Sequence, residues 1–397
     1  MKIGVYYVYS NNVAGDVINE DNFNLIKRLS AESGNELELI ELDQVNDYDL
    51  VFNFIGGGGT EGRFLQILDK LPRPVFLLTS GASNSLAASM EILSYLRQND
   101  IQGEIIHGSE NKMATKIANL AKVFKTRKTI RSLRIGRVGK PSDWLISSDV
   151  DAATSKELNG IEIVDIPMQE FFDEIAKKQY EENEFTKLYK EGCRFPESEI
   201  ELSLHIYGAL KRICTKYGLK GVTVRCFDLL EPIKGTGCMA LAILNSEGIY
   251  AGCEGDTPAL ISMVIIGELS GEKVFMANPS RIDSDNNQIV FAHCTLPITM
   301  PDKLEYMTHF ESGLGVAIRG KITEGPITVF KASGLLDEYY VDSGTLLENL
   351  NEFNLCRTQI RLQLNDINYF LTESIGNHHL IVKGDHADLV DEFFRWL

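Results

Sequence analysis

The sequence predicts an α/β protein that has two parallel-sheet domains and a smaller β-rich domain at its C-terminal end. Over the first 130 residues, strands alternate with amphipathic helices. The strands are continuous apolar runs, such as YDLVFNFI and RPVFLLTS, which is typical of parallel strands covered by helices on both faces. From about Asp283 the pattern changes to short strands separated by turns, which indicates a separate β domain.

We expect three domains, covering residues 1–130, 131–282 and 283–397. The first runs strand, helix, strand, strand, helix, strand, helix, strand, from KIGVYYVY to QGEIIHG. The second begins near Ser132 and includes the strand IEIVDIP, a charged helical region over Met168–Glu191 and the strand GVTVRCFDLL. A hairpin is expected at MALAIL, NSEG and IYAGC, followed by a helix over Pro258–Ser270 that Gly271 ends. The third domain has short strands such as NQIVFAHC, LGVAIRGKI and HHLIVKG.

The composition excludes some classes of partner. The chain has 397 residues and a net charge of -17, which disfavours nucleic acid or an anionic membrane surface as the main partner. Its most basic segment, Lys125–Arg134, is interpreted as a solvated helix end or linker. Seven cysteines without a metal-ligand spacing indicate reduced thiols in a cytoplasmic protein. The apolar runs are too short for a membrane span and the N-terminal strand is not a signal peptide, so we expect a soluble protein.

Two carboxylates, Glu254 and Asp256, stand in the segment GIYAGCEGDTPALI, where a strand becomes a helix. Thr257 is a favoured N-cap and Pro258 a favoured first helical residue, and acids near a helix N-terminus interact well with its dipole. The helix start alone can therefore explain Asp256, which is also a candidate catalytic residue. Glu254 precedes the cap, at the end of a strand that should be buried, where an unpaired carboxylate would be costly. A metal or a bound polyol would relieve that cost.

Three histidines lie at the ends of predicted strands. His293 ends NQIVFAHC and shares a strand face with Ile289 and Phe291, so it is either a core histidine or a ligand. His378 and His379 open the strand HHLIV and point to opposite faces, so one of them faces the interior or a cleft. Adjacent histidines indicate a metal site only weakly.

Two loops follow neighbouring strands of the first domain. IGGGGTEG exposes backbone N–H groups that can hold an anion or a sugar hydroxyl, or it forms a tight turn without a ligand. It lacks the patterns of a P-loop and of a dinucleotide site, so a nucleotide is not supported. TSGASNSL offers hydroxyls and an amide that could bind sugar or cap the next helix. The candidate substrate-binding residues of the two loops are Gly58, Thr60, Glu61, Ser83 and Asn84.

Several segments together resemble the L-fucose isomerase / L-arabinose isomerase superfamily, in particular its shorter fucose-isomerase-like branch. They span nearly the whole chain in the expected order and include GGGGTEG, ALAILNSEGIYAGCEGDTPALISMVIIGELSG, FAHCTLP, HFESGLGVAIRG and GNHHLIVKGDH. The resemblance implies two Rossmann-like (flavodoxin-like) parallel-sheet domains plus a smaller β-rich C-terminal domain. It also implies a trimer or hexamer with active sites at subunit contacts.

The chemistry that the resemblance implies is aldose–ketose interconversion through an ene-diol. A divalent metal, typically Mn²⁺, would act as Lewis acid while carboxylates move the proton between C1 and C2. Glu254 matches the first acidic metal ligand and catalytic acid/base, and His293 resembles the histidine ligand of the arabinose-isomerase branch. His378 matches the late ligand and is preferred to His379, which is a candidate substrate contact.

The second acidic ligand of the family falls in KVFMANPSRID, where this chain has Asn278. An amide offers one neutral oxygen to a metal, but it cannot act as a base. Proton transfer would then need another group, and the nearby candidates in sequence are Asp256, Asp283 and Glu311.

We therefore predict a metal-dependent sugar isomerase that acts on a pentose, a hexose or a related sugar. The alternative, which Asn278 raises, is a sugar-binding or regulatory protein that keeps the same scaffold without isomerase chemistry. A third possibility is an enzyme of altered reaction type on that scaffold.

Overall fold

The structure is a computed structural model that describes residues 1–9 and 15–397. The chain divides into two compact units, of which one comprises Met1–Arg127 with Glu392–Leu397 and the other comprises Lys128–Asp391. The finer division into three domains, at residues 130 and 282, stays a prediction.

A five-stranded parallel sheet lies at the centre of the first unit, in the order β2-β1-β3-β4-β5. Its strands are β1 (Ile3–Val8), β2 (Leu37–Ile40), β3 (Leu50–Ile55), β4 (Val75–Thr79) and β5 (Gly103–Ile106). The helices that alternate with them are α1 (Gly15–Ser33), α2 (Glu61–Ile67), α3 (Ser85–Gln98) and α4 (Glu110–Arg131). This strand order is that of flavodoxin-like folds. Every residue of β3 and β4 is buried, as expected for inner strands of a parallel sheet.

The second unit begins with a four-stranded parallel sheet in the order β7-β6-β8-β9, which repeats the 2-1-3-4 arrangement of the first sheet. Its strands are β6 (Arg134–Val138), β7 (Glu162–Ile166), β8 (Gly221–Val224) and β9 (Tyr250–Cys253). The accompanying helices are α5 (Ala152–Asn159), α6 (Met168–Ala176), α7 (Glu184–Gly192), α8 (Glu197–Tyr217), α9 (Leu230–Ile233), α10 (Cys238–Glu247) and α11 (Thr257–Ser270).

An antiparallel β-barrel completes the second unit. The strands that follow α11 are β10 (Phe275–Asp283), β11 (Gln288–His293), β12 (Lys303–Met307), β13 (Ala317–Lys321), β14 (Gly325–Ala332), β15 (Tyr339–Asn349), β16 (Thr358–Gln363) and β17 (His379–Lys383). Six of them close in the order β10-β11-β16-β15-β14-β17, whereas β12 and β13 form a separate ribbon. The short helix α12 (Tyr369–Thr372) precedes β17, and α13 (Ala387–Arg395) follows it. Two parallel sheets and a β-rich C-terminal part confirm the predicted fold class.

The predicted hairpin at MALAIL, NSEG and IYAGC is wrong, because MALAILNSE lies in helix α10. Gly248, whose φ is 89°, caps the end of this helix, and YAGC then forms β9, which pairs in parallel with β8. All residues of α10 from Cys238 to Ser246 are buried. A helix that is enclosed on every side lacks the polar stripe that reveals helical periodicity, so its sequence looks like a buried strand.

Two helix assignments also differ from expectation. Asp256 rather than Thr257 is the N-cap of α11, because its carboxylate accepts a hydrogen bond from the Ala259 N–H at 2.8 Å. The charged region Met168–Glu191 forms two helices, α6 and α7, and Lys178 between them has a φ of 53°.

Within the described ranges, no helix is long and apolar enough to span a bilayer.

Candidate functional site

Glu254 lies in the tight turn that connects β9 to α11, at the carboxyl end of the parallel sheet where functional groups gather in such folds. Glu254 and Gly255 both have left-handed backbone, with φ values of 60° and 74°. The Ser142 N–H donates a hydrogen bond to the Glu254 carbonyl at 2.8 Å. A left-handed non-glycine residue costs about 1–3 kcal/mol, and such strain concentrates at functional sites.

The two carboxylate oxygens of Glu254 have different neighbours. Oε2 accepts a hydrogen bond from the indole Nε1–H of Trp144 at 2.6 Å. Oε1 lies 3.6 Å from Nε2 of His378. Burial by itself would raise the pKa of Glu254, but the contacts with His378 and Trp144 outweigh it and lower the pKa. Glu254 is therefore a buried carboxylate that is ionised and held by one oxygen.

His378 precedes β17 and is enclosed between two carboxylates. Its Nδ1 lies 2.9 Å from Oδ2 of Asp256, and its Nε2 has no hydrogen-bond partner within the described residues. Burial would lower the pKa of His378, but the hydrogen bonds to Asp256 and Glu254 raise it to about 9. At neutral pH the imidazole is therefore protonated on both nitrogens, and a metal would displace the proton of Nε2, the atom that faces Glu254, while Nδ1–H stays hydrogen bonded to Asp256.

Asp256 lies behind His378 and is wholly buried. Its Oδ2 is 3.6 Å from Nζ of Lys331, which is buried in β14. Burial would raise the pKa of Asp256, but the charge of Lys331 and the hydrogen bond from His378 lower it to about 2. Burial also lowers the pKa of Lys331. Asp256 thus acts on His378 and caps α11, and it is not among the described residues that line the adjacent cavity.

His293, at the end of β11, is the third member of the group. Its Nδ1 lies 2.8 Å from Oγ1 of Thr295, and its ring centroid is 5.4 Å from that of His378. Burial and the neighbouring His378 lower its pKa to about 3, so the imidazole is neutral. A neutral imidazole that is fixed through one nitrogen has the other nitrogen available to a metal.

Glu254, His293 and His378 each offer one ligand atom, and these atoms all lie within 4.8 Å of one another. A different partner holds the other polar atom of each side chain: Trp144, Thr295 and Asp256 respectively. One carboxylate and two imidazoles form a donor set that suits a divalent transition metal. The unpaired Nε2 of His378 fits this interpretation, because a bound ion would satisfy it.

A cavity of about 40 Å³ adjoins Glu254 and His293. This volume holds an ion or a few waters, so the larger part of any organic ligand would extend beyond it. Asn278 also lines the cavity, and its Oδ1 accepts a hydrogen bond from Nδ2 of Asn377 at 3.2 Å. The remaining lining residues are Cys226, Phe227, Leu230, Thr236, Gly237, Cys238, Cys253, Cys294, His309, Glu311 and Cys356.

His379 lies apart from this group. Its Nε2 is 3.0 Å from the hydroxyl of Tyr369, and its Nδ1 is 3.0 Å from the carbonyl of Asn377. Aromatic rings of Phe291, Tyr340, Tyr369 and Phe370 surround it. Of the two adjacent histidines, His378 is therefore the one that meets Glu254.

The other predicted substrate-binding residues lie in the first unit, at the carboxyl ends of β3 and β4. The structure brings their two loops together, because the Gly58 N–H donates to the Ser83 carbonyl at 2.8 Å. Thr60 is buried and its hydroxyl donates to the Gly57 carbonyl at 2.7 Å, whereas Glu61 opens α2. Asn84 precedes α3 with a φ of 58° and makes no side-chain cap hydrogen bond.

Sequence reasoning missed Trp144 and Lys331. Trp144 is half-exposed in the loop after β6, and nothing in the segment PSDWLISS indicates that its indole reaches Glu254. Lys331 did leave a signal: it is the one charged residue in the apolar strand segment PITVFKA. A lysine within a buried strand requires a buried acidic partner, which here is Asp256.

The curated proteins to which this chain is similar are isomerases of a sugar. A sulfoquinovose isomerase from Alkalicoccus urumqiensis is 21% identical over 326 residues, which cover 78% of this chain and 73% of the relative. A second sulfoquinovose isomerase, from Clostridium sp. (strain MSTE9), is 29% identical over 100 residues, or 25% of this chain and 22% of the relative. No family model matches the chain. The similarity supports a sugar isomerase and agrees with the fucose- and arabinose-isomerase-like resemblance, which it does not establish.

Proposed function

We propose that this chain is a metal-dependent aldose–ketose isomerase that acts through an ene-diol on a pentose, a hexose or a related sugar. The observation that carries the proposal is the convergence of Glu254, His293 and His378, each fixed by a partner on its far side. Similarity to two sulfoquinovose isomerases supports the reaction class, and it makes sulfoquinovose one of the sugars to test.

Mn²⁺ is the proposed ion, held by Glu254, His293 and His378, with Asn278 as a further neutral oxygen donor. When bound, the metal would polarise the carbonyl and hydroxyl oxygens of the sugar as a Lewis acid. The residues of the chain orient these ligands: Trp144 holds Glu254, and Asp256 keeps the His378 proton on Nδ1. Because the ligands are fixed before the sugar arrives, little reorganisation is needed during the reaction.

A sugar-binding or regulatory protein on the same scaffold is the second candidate, and one observation favours it. Asn278 lines the cavity next to Glu254 and His293, where the family resemblance expects an acid. An amide there contributes no negative charge, so the site holds a cation less tightly than one with two carboxylates. Such a protein would bind sugars without converting them.

A homo-oligomer, trimeric or hexameric as the family resemblance implies, is also part of the proposal. Large apolar side chains at the surface of the second unit, including Trp144, Ile146 and Phe353, are available for subunit contacts. Light scattering on the purified protein measures the mass directly. A monomer at micromolar concentration would contradict the proposed homo-oligomer.

The test combines metal analysis with a panel of sugars. Purified protein is stripped with EDTA, reloaded with Mn²⁺ and assayed with L-fucose, L-arabinose, sulfoquinovose and other pentoses and hexoses. We expect stoichiometric metal and conversion of at least one aldose to its ketose. Metal uptake with sugar binding but no conversion would favour the second candidate, and no metal uptake at all would contradict the assignment of the site.

Glu254→Gln keeps the shape of the side chain and removes its charge. We expect this variant to lose metal binding and activity while its circular dichroism stays that of the wild type. Glu272→Gln, at an exposed residue just after α11, is the matched control and should change neither property. Full activity in Glu254→Gln would show that the proposed site is wrong.

A further inference from the structure

Isomerisation requires a group that moves a carbon-bound proton, and Glu254 is poorly placed for this task. Its Oε2 accepts the Trp144 N–H at 2.6 Å, and its Oε1 faces His378 at the proposed metal position. Both oxygens therefore have partners once the ion is bound. Asn278 cannot exchange a proton under these conditions because an amide is not a base.

The other acids suggested by the sequence do not face the cavity. Asp256 is wholly buried and uses its oxygens for Ala259, His378 and Lys331. Asp283, at the end of β10, is exposed and hydrogen bonded to Asn286 in the turn that follows. Neither carboxylate is among the described residues that line the cavity beside Glu254.

Glu311 does line the cavity, and it is also exposed to solvent. It belongs to the loop between β12 and β13, where the His309 N–H donates to the Leu314 carbonyl at 3.0 Å and the Gly313 N–H donates to the His309 carbonyl at 3.0 Å. The Arg357 guanidinium fixes the start of the loop through the Thr308 carbonyl at 2.7 Å. Short loops that are bonded internally in this way hold their side chains in place.

The carboxylate of Glu311 is also available. Within the part of the chain that the structure describes, no hydrogen bond or ion pair holds it. Loss of hydration and the charge of Glu254 raise its pKa above the usual value of a glutamate. Loss of hydration is the larger of the two causes and does not depend on whether Glu254 holds an ion. A raised pKa strengthens a carboxylate as a base.

We propose that Glu311 is the catalytic base that carries the proton between C2 and C1 of the sugar, an inference that rests on the proposed isomerase function. The C2–H bond of the aldose breaks, the carboxylate takes the proton, and the electron pair forms the C1–C2 double bond of the ene-diolate. The hydroxyl proton then passes from O2 to O1. Glu311 returns its proton to C1 as O2 becomes the carbonyl, so atoms and charge balance without an oxidant or a reductant.

Glu311 thus supplies the carboxylate that Asn278 lacks. The resemblance expects an acid at residue 278, on β10, and this chain has a carboxylate that lines the same cavity from the β12–β13 loop. The metal ligands and the base would then be separate residues. Changing Glu311 should consequently affect catalysis and leave metal binding unchanged.

The test compares Glu311→Gln and Glu311→Asp with the control Glu324→Gln. Glu324 is exposed in the turn between β13 and β14 and is not a cavity-lining residue. Each protein is loaded with Mn²⁺ and assayed with the panel of L-fucose, L-arabinose and sulfoquinovose. Kinetic constants, deuterium incorporation at C1 of the ketose in D₂O, and Mn²⁺ affinity by calorimetry are measured.

We expect Glu311→Gln to lower kcat by about 10²–10⁴-fold, the usual contribution of a general base, and to slow deuterium incorporation equally. Mn²⁺ affinity should stay at the wild-type value, Glu311→Asp should recover part of kcat, and Glu324→Gln should match the wild type. A kcat close to the wild-type value, or a parallel loss of Mn²⁺ affinity, would overturn the inference. If the wild type binds Mn²⁺ but converts no sugar, the proposed function fails and this role of Glu311 fails with it.

Discussion

At the scale of residues, each charged side chain of this site is compensated by the next one. Lys331 lies 3.6 Å from Asp256, Asp256 lies 2.9 Å from His378, and His378 lies 3.6 Å from Glu254. Positive and negative charges alternate along this buried row. The Lys331 ammonium is followed by the Asp256 carboxylate, then by the protonated His378 imidazole and the Glu254 carboxylate. Removal of any one charge leaves its neighbour uncompensated in a medium of low dielectric constant.

Asp256→Asn tests this row at its second position. The amide can still cap α11, but an NH₂ group that faces His378 favours the tautomer with the proton on Nε2. Because that nitrogen is the proposed ligand atom, we expect Mn²⁺ affinity to fall by about 10–100-fold, as is usual when the partner of a ligating histidine is lost. Calorimetry with Mn²⁺ measures the affinity.

Asp151→Asn is the matched control for this substitution. Asp151 is the N-cap of α5 and accepts a hydrogen bond from the Thr154 N–H at 2.8 Å, but it is exposed and touches none of the three proposed ligands. Its variant should bind Mn²⁺ like the wild type. The double variant Asp256→Asn with Lys331→Met leaves no uncompensated charge in the buried pair. A loss of Mn²⁺ affinity that persists in it is therefore not caused by loss of stability. Unchanged affinity in Asp256→Asn would contradict the orienting role.

At the scale of elements, the turn between β9 and α11 directs Glu254 into the cavity. Gly255 has a φ of 74°, and a Cβ atom there would lie 2.6 Å from the Lys140 carbonyl oxygen. Only glycine fits such a close approach of two backbones. The conformation of this turn therefore determines where the first ligand points.

Gly255→Ala should destabilise the protein by about 1–3 kcal/mol, the cost of forcing a side chain into left-handed backbone. The displaced turn should also weaken Mn²⁺ binding, since Glu254 precedes the substituted residue. Denaturant unfolding and calorimetry measure the two effects. Gly62→Ala is the control, because Gly62 lies within α2 and an added Cβ has no heavy atom within 4 Å. Wild-type stability in Gly255→Ala would show that the turn tolerates a side chain.

The sequence predicted the elements whose patterns arise from local physics. Period-2 and apolar patterns revealed the strands of both parallel sheets, and the strand end at Glu254 indicated the site. Helix α10 was not predicted, because it is buried on every side and its residues therefore lack polar periodicity. The contact between Trp144 and Glu254 was not predicted either, because the two residues are 110 positions apart in the sequence and Trp144 lies in a loop. Such pairings depend on tertiary packing, which no local pattern encodes.

At the scale of the whole molecule, the proposed ligands come from two layers of the second unit. Glu254 follows a strand of the parallel sheet, whereas His293 and His378 belong to barrel strands β11 and β17 or their ends. An ion held by all three side chains would connect the sheet layer to the barrel. Binding energy at such a site is also folding energy, because the unfolded chain does not bring the ligands together.

Removal of the metal should therefore lower the stability of residues 128–391 in particular. At Mn²⁺ concentrations about 100-fold above Kd, binding adds about 2.7 kcal/mol of stability. Hydrogen exchange measured by mass spectrometry should show slower exchange in peptides around β9, β11 and β17 when Mn²⁺ is added. Peptides of the β1–β5 sheet serve as the internal reference, because none of the three ligands belongs to that unit. The effect should vanish in Glu254→Gln, and equal protection of both units in that variant would mean that Mn²⁺ binds elsewhere.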